Sequence, residues 1–190
     1  MLGQLPTSLE IRGVNYDIRS DYRNILQIIS AFDAPDLKDG EKALVCLRRM
    51  YVDFEKIPTD AYKEAYEAAV TFIECGMHSD GPSPKVVSWE KDSQLIFAAI
   101  NKVAGHEVRA DPYMHWWTFL GYFQNVDRDD LWGFVLTIRQ KRAKGKKLEQ
   151  YETEFYNANR AMCDIGNRRN RKQEAIEYME ALYNELHGKG

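Results

Sequence analysis

DPYMHWWTFLGYF, residues 111–123, sets six large apolar or aromatic side chains within the eight positions from Trp116 to Phe123 and places a histidine directly before a tryptophan pair. Three readings compete: an aromatic binding platform, a metal or catalytic site around His115, and the centre of a core. Asp111 is a good N-cap, and Pro112 suits a first helical position, where its missing N–H costs nothing. The spacing then predicts a helix from Pro112 to about Asn125. Tyr113, Trp116, Trp117 and Leu120 would lie along one side, with Phe119, Tyr122 and Phe123 over most of the other. A helix apolar nearly all round is one surrounded by other helices. Trp116, Trp117, Leu120 and Phe123 are therefore expected to be structural core.

Working outward, helical periodicity dominates from residue 20 onward. Ser20 or Asp21 can cap a helix bearing Tyr22, Ile25, Leu26, Ile29 and Phe32, which Ala34-Pro35 stops. Helical patterns follow over Glu41 to Phe54 and after Pro58-Thr59-Asp60, with Gly76 as a C-cap. Ser88 is expected to cap a helix that Gly105 closes. Asp127 and Asp130 form a capping pair for a helix running into RQKRAKGKK (139–147), where Gly145 marks a break. Leu148 to Met162 reads as helical with Leu148, Tyr151, Phe155 and Tyr156 on its apolar side, and 168–187 as a last amphipathic helix. Only SLEIRGVNYDI (8–18) alternates as strands do, with Arg12-Gly13 as a two-residue hairpin turn. The expected fold is mainly α: a single-domain helical bundle over 1–190 with a small N-terminal β-hairpin (8–18), helices over 20–187 and a loop at 77–87.

Composition agrees with one core of this size: 190 residues, 44% hydrophobic and 29% charged. No apolar run approaches the roughly 20 residues of a membrane helix, and the first residues lack the basic-then-apolar pattern of a secretory signal. Three dispersed cysteines, Cys46, Cys75 and Cys163, fit a reducing compartment. The net charge of −3 conceals an asymmetry, since Phe134 to Lys172 carries eleven Lys and Arg against four Asp and Glu. Its densest runs are 139–147 and RRNRK (168–172). Solvated helix ends explain such runs more economically than nucleic acid, for which no helix-turn-helix, zinc-finger or RNA-binding signature is present.

Residue patterns that carry chemistry are few. His115 lies four residues after Asp111, and one carboxylate with one imidazole does not make a metal site. No glycine-rich phosphate loop, G-x-S-x-G or H-E-x-x-H is present. No catalytic, metal-binding or cofactor-binding residue is assigned, and no enzymatic activity is expected.

Several segments, in this order, resemble one phage family. They are LEIRGVNYDIRSDYRNIL (9–26), WEKDSQLIFAAINKVAGHEV (89–108), MHWWTFLGYF (114–123), DRDD (127–130), TIRQKR (137–142) and GKKLEQYETEFY (145–156). The family is that of the tail assembly chaperones of long-tailed phages and prophages of Gram-positive bacteria, encoded beside the tape-measure protein. The resemblance implies a protein that binds the tape-measure protein and keeps it soluble until the tail tube polymerises around it. It would work in the host cell cytoplasm and be absent from the mature virion, without cofactors. The tail tube protein and a second tail assembly chaperone are further partners it implies. The alternatives are a structural or tail-completion protein of the virion, and a nucleic-acid-binding regulator using 139–147. Within that stretch Lys141, Arg142, Lys146 and Lys147 are the expected partner-binding residues, because they form the strongest charge feature that packing does not demand. The sequence leaves the oligomeric state open.

Overall fold

The computed structural model describes residues 3–75 and 84–165. The protein is mainly helical, with eight α-helices among the described residues and a two-stranded antiparallel hairpin at the N-terminal end. It falls into two compact units, Met1–Thr137 and Ile138–Gly190. No described helix is long and apolar enough to cross a membrane. Gly76, most of the expected loop 77–87, the run 168–172 and the helix expected over 168–187 lie outside the described residues; 84–87 carries no regular structure.

The first unit opens with β1 (Ser8–Ile11) and β2 (Val14–Asp17), paired so that Ile11 faces Val14 across Arg12 and Gly13. Both turn residues have positive φ, 52° and 80°, as a twisted two-residue hairpin requires. A non-glycine residue in that region is strained, and Arg12 has a compensating use. Its Nε donates to Glu64 Oε2 at 2.6 Å and a terminal nitrogen to Asp60 Oδ2 at 2.7 Å. Asparagine would ease the turn, but its side chain is too short for this fork. The same contacts hold the Asp60 and Glu64 carboxyls below their usual range.

Helices α1 (Tyr22–Asp33), α2 (Asp39–Met50) and α3 (Tyr62–Ile73) follow, α1 packing on α2 and α2 on α3. Asp21 caps α1 by accepting from the Arg23 N–H at 2.9 Å. Arg19 closes α2, its guanidinium donating to the carbonyls of Arg48, Arg49, Tyr51 and Val52, where a cation also suits the negative helix end. Small buried Ala65 and Ala69 let α3 come close, and the Tyr51 hydroxyl donates to the Ala65 carbonyl at 2.7 Å. Then come α4 (Ser93–Ala104), which ends on left-handed Gly105, and α5 (Trp116–Gln124) against it. Helix α4 begins later than Ser88 suggested. Ser88 instead opens a turn in which its N–H donates to buried Asp92 at 2.9 Å, and the helix starts after that turn.

Helix α6 (Leu131–Ala143) carries the chain from the first unit into the second. A Cβ at Gly133 would collide with the Asp127 carbonyl oxygen and come within 2.7 Å of Arg128 Cα. Glycine is thus what lets the 127–130 step fold tightly against the start of α6. In that step Asp127 caps a turn through the Asp129 N–H, while Asp130 takes Lys102 at 2.5 Å.

The second unit contains the end of α6, α7 (Gln150–Ala158) and short α8 (Arg160–Cys163). Helix α7 begins at Gln150 rather than Leu148, because Glu149 and Glu152 form a reciprocal capping box. Its orientation also differs from the expected one. Tyr151 is 60% exposed, and the covered side chain is Glu152. Arg139 is buried and donates to the carbonyls of Met162 at 2.6 Å and Cys163 at 3.2 Å, closing α8.

Candidate interaction surface

The histidine–tryptophan triplet is an anchor for α5. His115, not Asp111, is the N-cap: its Nδ1 accepts the Trp117 N–H at 3.0 Å, while Nε2 lies 3.0 Å from the Pro6 carbonyl. Accepting at Nδ1 leaves the proton on Nε2, so His115 donates to Pro6 and ties the N-terminal segment to α5. The two indoles then reach the end of α3. Trp116 Nε1 donates to the Ile73 carbonyl at 2.8 Å, and Trp117 Nε1 to the Phe72 carbonyl at 2.9 Å. The last carbonyls of a helix have no partner within it; here Trp116 supplies a donor to Ile73, and Trp117 joins the Cys75 N–H, at 3.1 Å, on Phe72.

The helix expected from Pro112 therefore starts four residues later. Both backbone groups of Met114 are taken by 21–22: the Tyr22 N–H donates to its carbonyl at 3.0 Å, and its own N–H donates to the Asp21 side chain, at Oδ2, at 3.1 Å. The Trp116 N–H donates to Ser20 at 2.8 Å. Those groups are occupied by an antiparallel bridge and cannot serve a helical turn. Asp111 instead meets His106 at 2.9 Å, so Asp111 and His115 do not share a site. Among the described residues no group of three or more His, Cys, Asp or Glu could hold a metal ion. Cys46 and Cys163 are buried free thiols, and burial pushes Cys46 up to about 12.

Of the four residues expected as core here, Trp116 is buried, whereas Trp117, Leu120 and Phe123 are half-buried. The fully buried partner is Phe119, assigned to the opposite side by the sequence. It stacks on Tyr22 with ring centroids 4.2 Å apart and on Trp116 at 5.9 Å. Trp89 bridges this cluster to Phe123 at 4.9 Å. An i to i+3 step puts Trp116 and Phe119 on one face, so spacing alone was compatible with either assignment.

The basic stretch separates into two kinds of residue. Lys141 Nζ lies 2.6 and 2.8 Å from the two oxygens of Glu152, whose other hydrogen bond is the Glu149 N–H. Burial pushes the Glu152 carboxyl up, but these donors outweigh it and hold it below the usual range. Arg142 pairs with Asp164 and lies over the Tyr156 ring at 4.1 Å, and the Tyr156 hydroxyl also reaches Asp164. Lys141 and Arg142 therefore hold the second unit together. Lys146 and Lys147 are exposed, as is Lys144, and no ion pair among the described residues engages them. Neither Glu152 nor Lys144 was singled out from sequence. The Glu149-x-x-Glu152 spacing of a capping box was the available signal for the first.

The family model described as Bacteriophage Gp15 protein matches residues 1–163. The chain belongs to this bacteriophage family. No curated protein and no solved structure matches it. The Gp15 match takes in both the aromatic anchor of α5 and the α6–α7 turn, and it ends at Cys163, whose carbonyl receives Arg139.

Proposed function

We propose that this Gp15-family protein is a phage tail assembly chaperone, which binds the tape-measure protein and keeps it soluble until tube subunits polymerise around it. The observation that carries the reading is the family match over 1–163, together with the resemblance of the block from Trp89 to Arg139 to tail assembly chaperones. The structure is compatible with a binding role. The most distinctive residues of that block serve the fold, Asp92 closing a turn, His115 a cap, and Trp116, Trp117 and Arg139 backbone carbonyls, which leaves partner contacts to the surface. A chaperone of this kind acts by mass action, protecting apolar surface for as long as it stays bound.

Co-expression with the tape-measure protein of the same phage tests the reading. The soluble fraction of the tape measure should rise, and the two proteins should co-purify without added nucleotide or metal. A wild-type protein that never associates with the tape measure would falsify it. Finding the protein as a stoichiometric component of purified virions would favour a structural role instead.

A further inference from the structure

We infer that the turn between α6 and α7 is a docking surface for an acidic polypeptide segment, presented by Lys144, Lys146 and Lys147 with Tyr151 beside them. This rests on the reading above that the protein acts by binding another polypeptide. The turn is built rather than loose. Gly145, at φ 64°, lets its own N–H donate to the Arg142 carbonyl at 3.0 Å and lets the Lys146 N–H reach back to Lys141 at 2.8 Å. That pair of bonds is the Schellman closure of a helix end. On either side the scaffold is clamped, by Lys141 on Glu152 and by Arg142 on Asp164.

The clamps also neutralise two of the nearby counter-charges. Glu152 is taken by Lys141 and the Glu149 N–H, and Asp164 by Arg142 and Tyr156, while the exposed carboxylates of Glu149 and Glu154 are engaged within α7, by its capping box and by Gln150 at 3.0 Å. Three exposed ammonium groups are left on a tight turn. Tyr151, 60% exposed in the first turn of α7, adds an aromatic surface of the kind enriched in protein interfaces. Lysines carry point charges on flexible stems, which suit scattered carboxylates and lack the planar fork that grips phosphate in two places. Three of them also neutralise too few phosphates for firm nucleic-acid binding. A polypeptide is thus favoured over nucleic acid.

The test uses the full-length protein with a labelled oligoglutamate peptide and a labelled oligothymidine of equal charge, read by fluorescence anisotropy at low salt. The wild type should prefer oligoglutamate. The triple variant Lys144→Gln, Lys146→Gln, Lys147→Gln should bind it about tenfold more weakly, as loss of three exposed charge contacts implies. A control with Lys63→Gln, Lys91→Gln and Arg128→Gln should bind like the wild type. Equal weakening in both variants, absence of oligoglutamate binding, or tighter binding of oligothymidine would each overturn the proposal. Tape-measure solubility, measured separately, keeps the two ideas apart. A wild type that binds oligoglutamate yet never the tape measure would sink the chaperone reading and leave this surface standing.

Discussion

The surroundings of α5 in the first unit and of α7 and α8 in the second satisfy their covered polar groups by different means. In the first, the groups around α5 are aromatic: two indole N–H groups donate to carbonyls at the end of α3, and the His115 imidazole accepts an N–H at the start of α5 and donates to Pro6. In the second, charged side chains do the same work: Arg139 closes α8, and Lys141 with Glu152 joins α6 to α7. The difference teaches what each unit should be sensitive to. An aromatic anchor contributes burial and a hydrogen bond from one side chain, and its burial is indifferent to pH. A covered ion pair contributes little apolar surface, and its worth depends on the charge of both partners.

Trp116→Ala should break the first arrangement most severely. The indole is buried, stacked on Phe119, and bonded to Ile73. Its removal should cost on the order of 3–5 kcal/mol, as large aromatic truncations in cores do, read as a lowered denaturation midpoint with an unchanged slope. A soluble variant of wild-type stability that had lost only partner binding would show the aromatics to be an interaction surface.

His115→Ala sharpens the same point. It removes the α5 cap and the tie to Pro6 while leaving the indoles in place, so the loss should be smaller, about 1–2 kcal/mol. Hydrogen exchange should show faster opening of residues 3–7 and of the first turn of α5. If protection there stayed as in the wild type, the imidazole would not be the cap that its geometry indicates.

In the second unit Glu152→Gln should cost about 1 kcal/mol. Removing one partner of a fully buried pair costs more, but the Lys141 side chain is 28% exposed and solvent screens the contact. Weaker local protection of α7, with the α5 region unaffected, is the expected pattern. Uniform loss of protection across α5 and α7 would contradict it.

The smallest effect is a pH dependence. The Glu152 carboxyl is held below its ordinary range, so its folded-state proton affinity is lower than that of the unfolded chain. Its contribution is therefore present above the unfolded value, about 4.3, and is lost as pH falls through the folded one. Protection of α7 amides should fall in that acidic window in the wild type and be flatter in Glu152→Gln. Identical profiles would remove the ion pair as the cause.

Much of the fold was legible because its signals are local. A hairpin turn, an Asp21 cap, left-handed glycines at 105 and 145 and the helical spacing of α1 to α4 all depend on residues within a few positions of one another. The start of α5 was misread because a helical turn and a long-range bridge compete for the same backbone groups. Met114 and Trp116 bond to residues 20–22, far away in sequence.

The partition of the candidate surface was likewise beyond local reading. Lys141 and Lys147 look alike as residues, and only the return of α7 and α8 engages the first and leaves the second exposed. By itself the sequence determined a mainly helical fold, the hairpin, the Asp21 cap, the glycine closures at 105 and 145 and the resemblance to a phage family, since periodicity and these local signals are written in short windows. Tertiary structure alone decided which polar atoms the aromatics complete, which glutamate is covered, and which lysines remain exposed. Those outcomes depend on groups brought together across separations as large as the 109 positions between Pro6 and His115, and a buried polar atom takes whichever donor the packing places within reach.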